Sequence, residues 1–194
     1  MAKSTSYRRH TAGPRVAPKP IGAVRLEELA LAYVARFSVS AAKLADYLRR
    51  KLRSRGWEGE GEPPIDAIVA RFVAAGYVDD AVYARNRSAG MLRRGLGMRR
   101  VAQAMHAAGI APEHRSEAAP GPAAERQAAL ALARRRRLGP YGTDANDRAG
   151  REKQIAVMLR AGHPLDSARE LVDAASIAAA EDWAAECDGD EACD

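Results

Sequence analysis

Cysteine and aromatic residues are scarce in this sequence. Only two of its 194 residues are cysteine, Cys187 and Cys193, and both lie among acidic residues. This placement argues against a disulfide framework and against a zinc site of the C-x-x-C type. Aromatic residues make up 5% of the chain, and no closely spaced group of them predicts a platform on which bases of single-stranded DNA would stack.

Long apolar runs are also absent. No run approaches the roughly 20 residues that a helix needs to span a bilayer. The basic residues near the start are not followed by the apolar segment of a secretory signal. The sequence therefore predicts a cytoplasmic protein with no membrane partner.

Motifs of catalysis and cofactor binding are missing as well. The four histidines (His10, His106, His114 and His163) lack the spacing of a metal site and have no serine or cysteine partner that suggests nucleophilic catalysis. The segment GLGMRR lacks the second glycine and the Gly-Lys-Ser/Thr ending of a phosphate-binding loop. We therefore expect no enzymatic activity, no metal and no cofactor.

Charge is abundant and unevenly distributed. The chain has 31 Lys+Arg against 25 Asp+Glu, and 26 of the basic residues are arginine. Residues 1–22 hold five basic residues and no acid, whereas residues 173–194 hold eight acids and no base. The intervening chain keeps 26 basic and 17 acidic residues. This excess favours a polyanionic or acidic partner, although an arginine-rich codon bias would give the same composition.

The spacing of apolar residues predicts helices. One stripe in the first part of the chain consists of Leu26, Leu29, Tyr33 and Phe37, and a second of Ala41, Leu44, Leu48 and Leu52. Ser40 suits the N-cap of the second helix and Gly56 its end. A third stripe contains Ile65, Ile68, Val69 and Phe72, preceded by Pro64 and closed by Gly76. Phe37 and Phe72 are both expected in the core.

The same three-helix pattern recurs further along. Helices are predicted over 80–94 and 98–108, with a short one after Pro112, and again from 123 to the RRRR run, over REKQIAVMLRAG and after Pro164. The glycines that close the middle helices, Gly56, Gly109 and Gly162, are 53 residues apart. No segment alternates with period two. The predicted fold is all-α, with three tandem three-helix repeats in a curved, elongated array.

These patterns predict five segments. Residues 1–24 form a disordered basic arm. The three repeats cover residues 25–78, 79–120 and 121–176. Residues 177–194 form a terminal helix and an acidic tail.

The segment GYVDD, at residues 76–80, allows two interpretations. Paired aspartates after a tyrosine also occur on the β-hairpin of polymerase palms, where they hold divalent metal ions. Here the pair lies between two predicted helices, so Asp79 and Asp80 are expected to cap the second of them through its free N–H groups and its dipole.

The segment GYVDDAVYARNRSAGMLRRGLGMRRVAQAMHAAGI resembles the central part of RecX regulatory proteins. The segments ALAYVARFSVSAAKLADYLRRKLRSRG and REKQIAVMLRAGHPLDSARELV resemble the flanking repeats, so the resemblance covers about residues 26–174. The chain departs from the family in having Lys43 where an acidic residue often completes a capping box, and in the shortened third helix of the central repeat.

The resemblance implies a function and partners. RecX proteins bind the RecA recombinase filament on DNA and restrain its strand-exchange, coprotease and ATPase activities, in DNA repair and the SOS response. It therefore implies a non-enzymatic regulator whose partners are the RecA filament and DNA. We expect it to be a monomer.

The arginines are the candidate contact residues. Those of the central repeat surround its Gly-Leu-Gly turn: Arg85, Arg87, Arg93, Arg94, Arg99 and Arg100. Backbone N–H groups at this turn and the guanidinium groups are expected to engage phosphates or an acidic groove. A second basic face contains Arg49, Arg50 and Arg53, and the RRRR run (residues 134–137) is the third, which predicts a continuous basic concave surface. The alternatives are solvated helix faces, a stand-alone helix-turn-helix DNA-binding protein around residues 80–108, and a repeat adaptor that binds protein only.

Overall fold

The computed structural model describes residues 19–142 and 147–186. Most of the predicted disordered arm (residues 1–18) lies outside the described residues. The acidic tail from residue 187 onward, with Cys187 and Cys193, also lies outside them.

The described residues form ten α-helices and one short 3₁₀ turn. The helices are α1 (Ala23–Val34), α2 (Ala41–Arg55), α3 (Ile65–Ala74), α4 (Asp80–Arg93), α5 (Met98–Ala107), α6 (Pro112–Glu117), α7 (Pro122–Arg136), α8 (Arg148–Ala161), α9 (Leu165–Val172) and α10 (Ile177–Ala185). Outside the helices, Ile21 and Trp57 form an isolated bridge, and the described part of the chain has no β-strand. The predicted all-α class is confirmed.

Three clusters of buried apolar residues follow one another along the chain. The first joins α1, α2 and α3, the second joins α4, α5 and α6, and the third joins α7 to α10. We refer to these groups of helices as the first, second and third units. Each unit is too small to bury its own apolar faces completely, so adjacent units are expected to stabilise one another.

Glycine ends several helices, as the sequence predicts. The backbone φ is positive, from 68° to 100°, at Gly56, Gly76, Gly109 and Gly162. A residue adopts positive φ at low cost only when no Cβ is present, and Gly162 has the full left-handed conformation at the end of its helix. The predicted short third helix of the central repeat is confirmed, because α6 has 6 residues whereas α3 has 10.

Two features of the first unit differ from the sequence-based predictions. Ile21, assigned to the disordered arm, is fully buried, and its backbone bonds to Gly56 and Glu58. Phe37, predicted to be a core residue, is 53% exposed, whereas Phe72 is 6% exposed. The helical stripe fails at Phe37 because α1 ends at Val34 and the chain turns before reaching that residue.

Candidate functional site

The first and second units meet at the start of α2. Ser40 caps this helix by accepting a hydrogen bond from the Lys43 backbone N–H at 3.3 Å. Its hydroxyl also donates to the Ala108 carbonyl of the second unit at 2.6 Å. The Asp80 carboxylate accepts from the Ala41 N–H at 2.8 Å. Two of the otherwise unpaired groups at the start of α2 are therefore satisfied, and one unit is joined to the next.

Lys43 also crosses this junction. Its ammonium group donates to the Tyr83 hydroxyl at 2.8 Å and lies 5.3 Å from the centre of the Tyr83 ring. Lys43 occupies the position where many RecX proteins have an acidic capping residue. Here the side chain therefore makes a contact between units instead of completing a cap.

The two adjacent aspartates bond to different helices. Asp79 is the N-cap of α4 and accepts from the Val82 N–H at 2.8 Å. Asp80, the first residue of α4, reaches back to Ala41 of α2. Both carboxylates therefore accept backbone hydrogen bonds, one inside the second unit and one across the junction. Among the described residues, no group of three or more His, Cys, Asp or Glu is arranged to hold a metal ion.

The Gly-Leu-Gly turn between α4 and α5 is covered by the third unit. The Gly97 N–H donates to the Ala161 carbonyl at 3.0 Å, and the Arg99 N–H to the Gly162 carbonyl at 3.3 Å. The Gly95 and Leu96 N–H groups donate to carbonyls near the end of α4, those of Leu92 and Met91. The prediction that backbone N–H groups here contact phosphates is therefore wrong, because these donors already have acceptors within the protein.

Close packing explains the two glycines of this turn. A Cβ atom at Gly97 would lie 2.4 Å from the carbonyl carbon of Gly162, and one at Gly95 would lie 2.7 Å from the backbone nitrogen of Leu132. Both distances are shorter than van der Waals contact. The turn therefore sets the separation between the second and third units.

His163 completes this junction. It is 3% exposed, and its Nε2 atom lies 3.0 Å from the Gly95 carbonyl oxygen. Because a carbonyl only accepts, Nε2 carries the proton in this contact. Burial lowers the pKa of His163, and the hydrogen bond to Gly95 opposes this shift to a smaller extent. The side chain that the sequence left without a role is therefore a neutral donor between units.

The predicted arginines of the second unit fall into two groups. Arg85, Arg87, Arg93 and Arg94 are exposed on α4 and at its end, and within the described part of the chain they have no ion-pair partner. Arg99 instead donates to the Leu159 carbonyl of α8. Arg99 therefore helps to hold the two units together, whereas the four arginines on and after α4 are available to a partner.

The predicted face of the first unit is partly neutralised. Arg49 lies within ion-pair distance of Asp46 at 3.4 Å and Asp66 at 3.3 Å. The guanidinium group of Arg50 lies 5.7 Å from the centre of the Tyr47 ring. Arg53 is exposed, and the described residues provide no acidic partner for it. Both acids of Arg49 are exposed, so these ion pairs add little stability.

The RRRR run is divided between two sides of α7. Arg134 pairs with Glu181 of α10 at 2.6 Å. Arg135 and Arg136 face a cleft of about 470 Å³ between the second and third units, which Arg100 and Arg160 also line. Among the described residues, the remaining lining is apolar and includes no acid. This cleft, called the arginine cleft below, brings together basic residues from three helices.

The sequence identified three of these four arginines but not their proximity. The sequence does not predict Arg160 as a contact residue, because it is an isolated basic residue near the end of α8. Its position two residues before the helix-ending Gly162 was the available signal, since the same glycine packs against Arg100. The pairing of α7 and α8 with the start of α5 is a tertiary contact that helical periodicity does not report.

Comparisons with known proteins identify similar proteins. No family model matches the chain. A protein named Regulatory protein RecX from Myxococcus xanthus (strain DK1622) is 29% identical over 170 residues, which cover 83% of this chain and 90% of that protein. The crystal structure of RecX from Lactobacillus salivarius superposes with a TM-score of 0.59 at 18% identity, covering 77% of this chain and 93% of the other.

The fold and surface define an all-α helical repeat protein whose units are joined by hydrogen bonds and whose last two units enclose an arginine-lined cleft. In the described part of the chain, no helix is long and apolar enough to cross a membrane. Within this class, the sequence comparison confirms the predicted resemblance to the RecX family, and the fold is similar to that of a RecX crystal structure.

Proposed function

We propose that this chain is a non-enzymatic regulator that binds the RecA filament on DNA and restrains its strand-exchange, coprotease and ATPase activities. It would act as a cytoplasmic monomer in DNA repair and the SOS response. The resemblance to the RecX family supports the regulatory role. The observation that carries the proposed mode of binding is the grouping of unpaired arginines along the second and third units.

Charge is the physical basis of this proposal. The filament presents phosphates and acidic side chains, both of which guanidinium groups bind through paired hydrogen bonds. Arg85, Arg87, Arg93 and Arg94 would supply one patch, and the arginine cleft a second. Arg50 and Arg53 would extend the surface to the first unit, whereas Arg49 would first have to exchange its two acidic partners.

The structure disfavours the helix-turn-helix alternative. A recognition helix inserts its amino-terminal residues into the major groove of DNA. Here the start of α5 is covered by the third unit, since Gly97 and Arg99 donate their N–H groups to Ala161 and Gly162. A duplex could reach these residues only if the two units separated.

Direct binding tests the proposal and separates it from the alternatives. Fluorescence anisotropy would compare the labelled full chain on RecA filaments assembled on single-stranded DNA with the same DNA alone. We expect tighter binding to the filament, weakening as salt rises. Equal affinity for free DNA would favour a stand-alone DNA-binding protein, and binding independent of salt would favour a protein-only adaptor.

A pair of variants locates the contact. R93A/R94A removes two exposed arginines that lack described partners, and we expect weaker filament binding with a shallower salt dependence. R25A/R71A is the matched control, because it also removes two charges, but from ion pairs with Glu28 and Glu27. Equal effects of the two variants would argue for net charge and against a specific surface.

A further inference from the structure

We propose that the arginine cleft binds a nucleoside phosphate. The guanidinium groups would bind the phosphates, and the apolar residues of the cleft would contact the sugar and base. This inference builds on the proposed function, because it assigns a ligand to part of the same basic surface. The ligand could be a free nucleotide or one nucleotide of a single strand. Both sources share this chemistry, and the experiment below distinguishes them.

Four arginines of the cleft have no acidic partner among the described residues. Arg100 begins the cleft on α5, Arg135 and Arg136 lie near the end of α7, and Arg160 lies near the end of α8. Within the described residues Arg135, Arg136 and Arg160 form no ion pair, and Arg100 bonds only to the neutral amide of Gln103, at 3.0 Å. Like charges held this close repel one another, and a bound polyvalent anion would relieve the repulsion.

An acid of α10, the helix that packs against α7, is already engaged elsewhere. Glu181 pairs with Arg134, which precedes the cleft arginines on α7. The Glu181 carboxylate also lies 3.4 Å from the Tyr141 hydroxyl. The carboxylate is thus held on the α10 side of α7 and does not line the cleft. The described residues therefore leave the charge of the cleft for a ligand to balance.

Apolar residues make up the rest of the cleft lining. Side chains of Leu96, Leu132, Leu138, Val157 and Ala161 line the cleft beside the arginines. A site for a bare anion needs no such surface, whereas a nucleoside has a planar base and a sugar that would cover it. The volume, about 470 Å³, falls in the range typical of small-molecule sites.

The arrangement also suits phosphate better than a single carboxylate. A diphosphate offers several charged oxygens to a compact group of planar forks, each of which can form two parallel hydrogen bonds. One carboxylate would balance only a fraction of the four charges. We therefore favour a nucleotide over an acidic side chain of a partner protein.

Isothermal titration calorimetry on the full chain tests this proposal without RecA. The probes are ADP, inorganic pyrophosphate and a short 5′-phosphorylated oligothymidylate, all in EDTA so that divalent metal does not compete for the phosphates. We expect ADP or the oligonucleotide to bind at least about tenfold more tightly than pyrophosphate, since only these two bury a sugar and a base against the apolar residues of the cleft. If ADP binds and the oligonucleotide does not, the ligand is a free nucleotide. If the oligonucleotide binds and ADP does not, the ligand is a nucleotide of a single strand.

Variants place the binding in the cleft. R135A/R136A should weaken binding at least about tenfold, because each removes charge-assisted hydrogen bonds to phosphate. R160A should act in the same direction. R25A/R71A, an equal loss of charge outside the proposed binding surface, should change affinity less than about twofold. Circular dichroism would verify that each variant is folded, as expected for exposed arginines.

Three results would overturn the inference. They are no heat of binding with any probe at millimolar concentration, pyrophosphate binding as tightly as the nucleotide, and R135A/R136A binding as tightly as the R25A/R71A control. Because RecA is absent, a negative result here leaves the regulatory proposal intact. Conversely, a chain that binds nucleotide but leaves RecA unaffected would contradict the regulatory proposal only.

Discussion

The Asp80 carboxylate accepts a hydrogen bond from the backbone N–H of Ala41, at 2.8 Å and 39 residues apart in sequence. The bond links the start of α4 to the start of α2, so the carboxylate serves a helix of the preceding unit. The neighbouring Asp79 serves its own helix through Val82. Two adjacent acids thus mark the boundary between units from both sides.

This difference predicts unequal effects of replacing the two aspartates. D79A should cost about 1 kcal/mol, the usual value of a lost N-cap. D80A should cost about 1.5–3 kcal/mol, because it removes a charge-assisted bond at a half-buried site and leaves the Ala41 donor unpaired. Urea unfolding followed by circular dichroism measures both. D80N, which keeps an acceptor oxygen, should retain part of the stability; a loss in D80A no larger than in D79A would refute the bridging role.

Gly97 should not tolerate a side chain. G97A places a Cβ 2.4 Å from the Gly162 backbone, so we expect a loss of about 1–3 kcal/mol from overpacking between the second and third units. G90A is the control, because its Cβ would approach only the end of Arg93, at 3.9 Å. In the interior of α4, alanine should stabilise the protein by about 0.5–1 kcal/mol. Similar unfolding midpoints for both variants would mean that the turn is not closely packed.

His163 predicts a pH dependence of stability. Its pKa in the folded chain is below the ordinary 6.5 because the ring is buried. Below pH 6.5 the unfolded chain takes up a proton that the folded chain resists, so the free energy of unfolding falls as the pH falls toward the lowered pKa. H163Q keeps a donor for Gly95 but does not titrate. The stability advantage of the native chain over H163Q should shrink between pH 7.5 and 5.5, and parallel pH profiles would contradict this account.

The two phenylalanines differ in burial, although the apolar spacing predicts both in the core. F72A should cost about 3–5 kcal/mol, as expected for a buried aromatic side chain. F37A should cost much less, because that ring is 53% exposed and contacts Tyr33 at a ring-centre distance of 5.4 Å. Thermal unfolding of the two variants measures the difference. Equal losses would place Phe37 in the core after all.

The helices and their ends could be predicted from sequence because each depends on nearby residues. The apolar spacing along α2, the Ser40 cap and the glycine at position 162 are local signals with a direct physical meaning. Phe37 could not be assigned correctly, since the same spacing continues past the point where the helix stops. The arginine cleft could not be predicted either, because Arg100 and Arg160 meet only when α5 packs against α8.

The predicted arginine sites therefore divide according to packing. Arg99 follows the same turn as Arg100 in sequence, yet its side chain bonds to the Leu159 carbonyl. Their charge is the same and they are adjacent in sequence, so neither property distinguishes them. Their neighbours in the third unit make one a junction residue and leave the other in the cleft.

The most direct test is the rate of RecA-catalysed ATP hydrolysis on single-stranded DNA while this protein is titrated in. We expect the rate to fall at amounts well below one protein per RecA subunit. The R135A/R136A variant should lower the rate less than the R25A/R71A control does. A rate unchanged at micromolar excess of the folded native chain would contradict the proposed regulation.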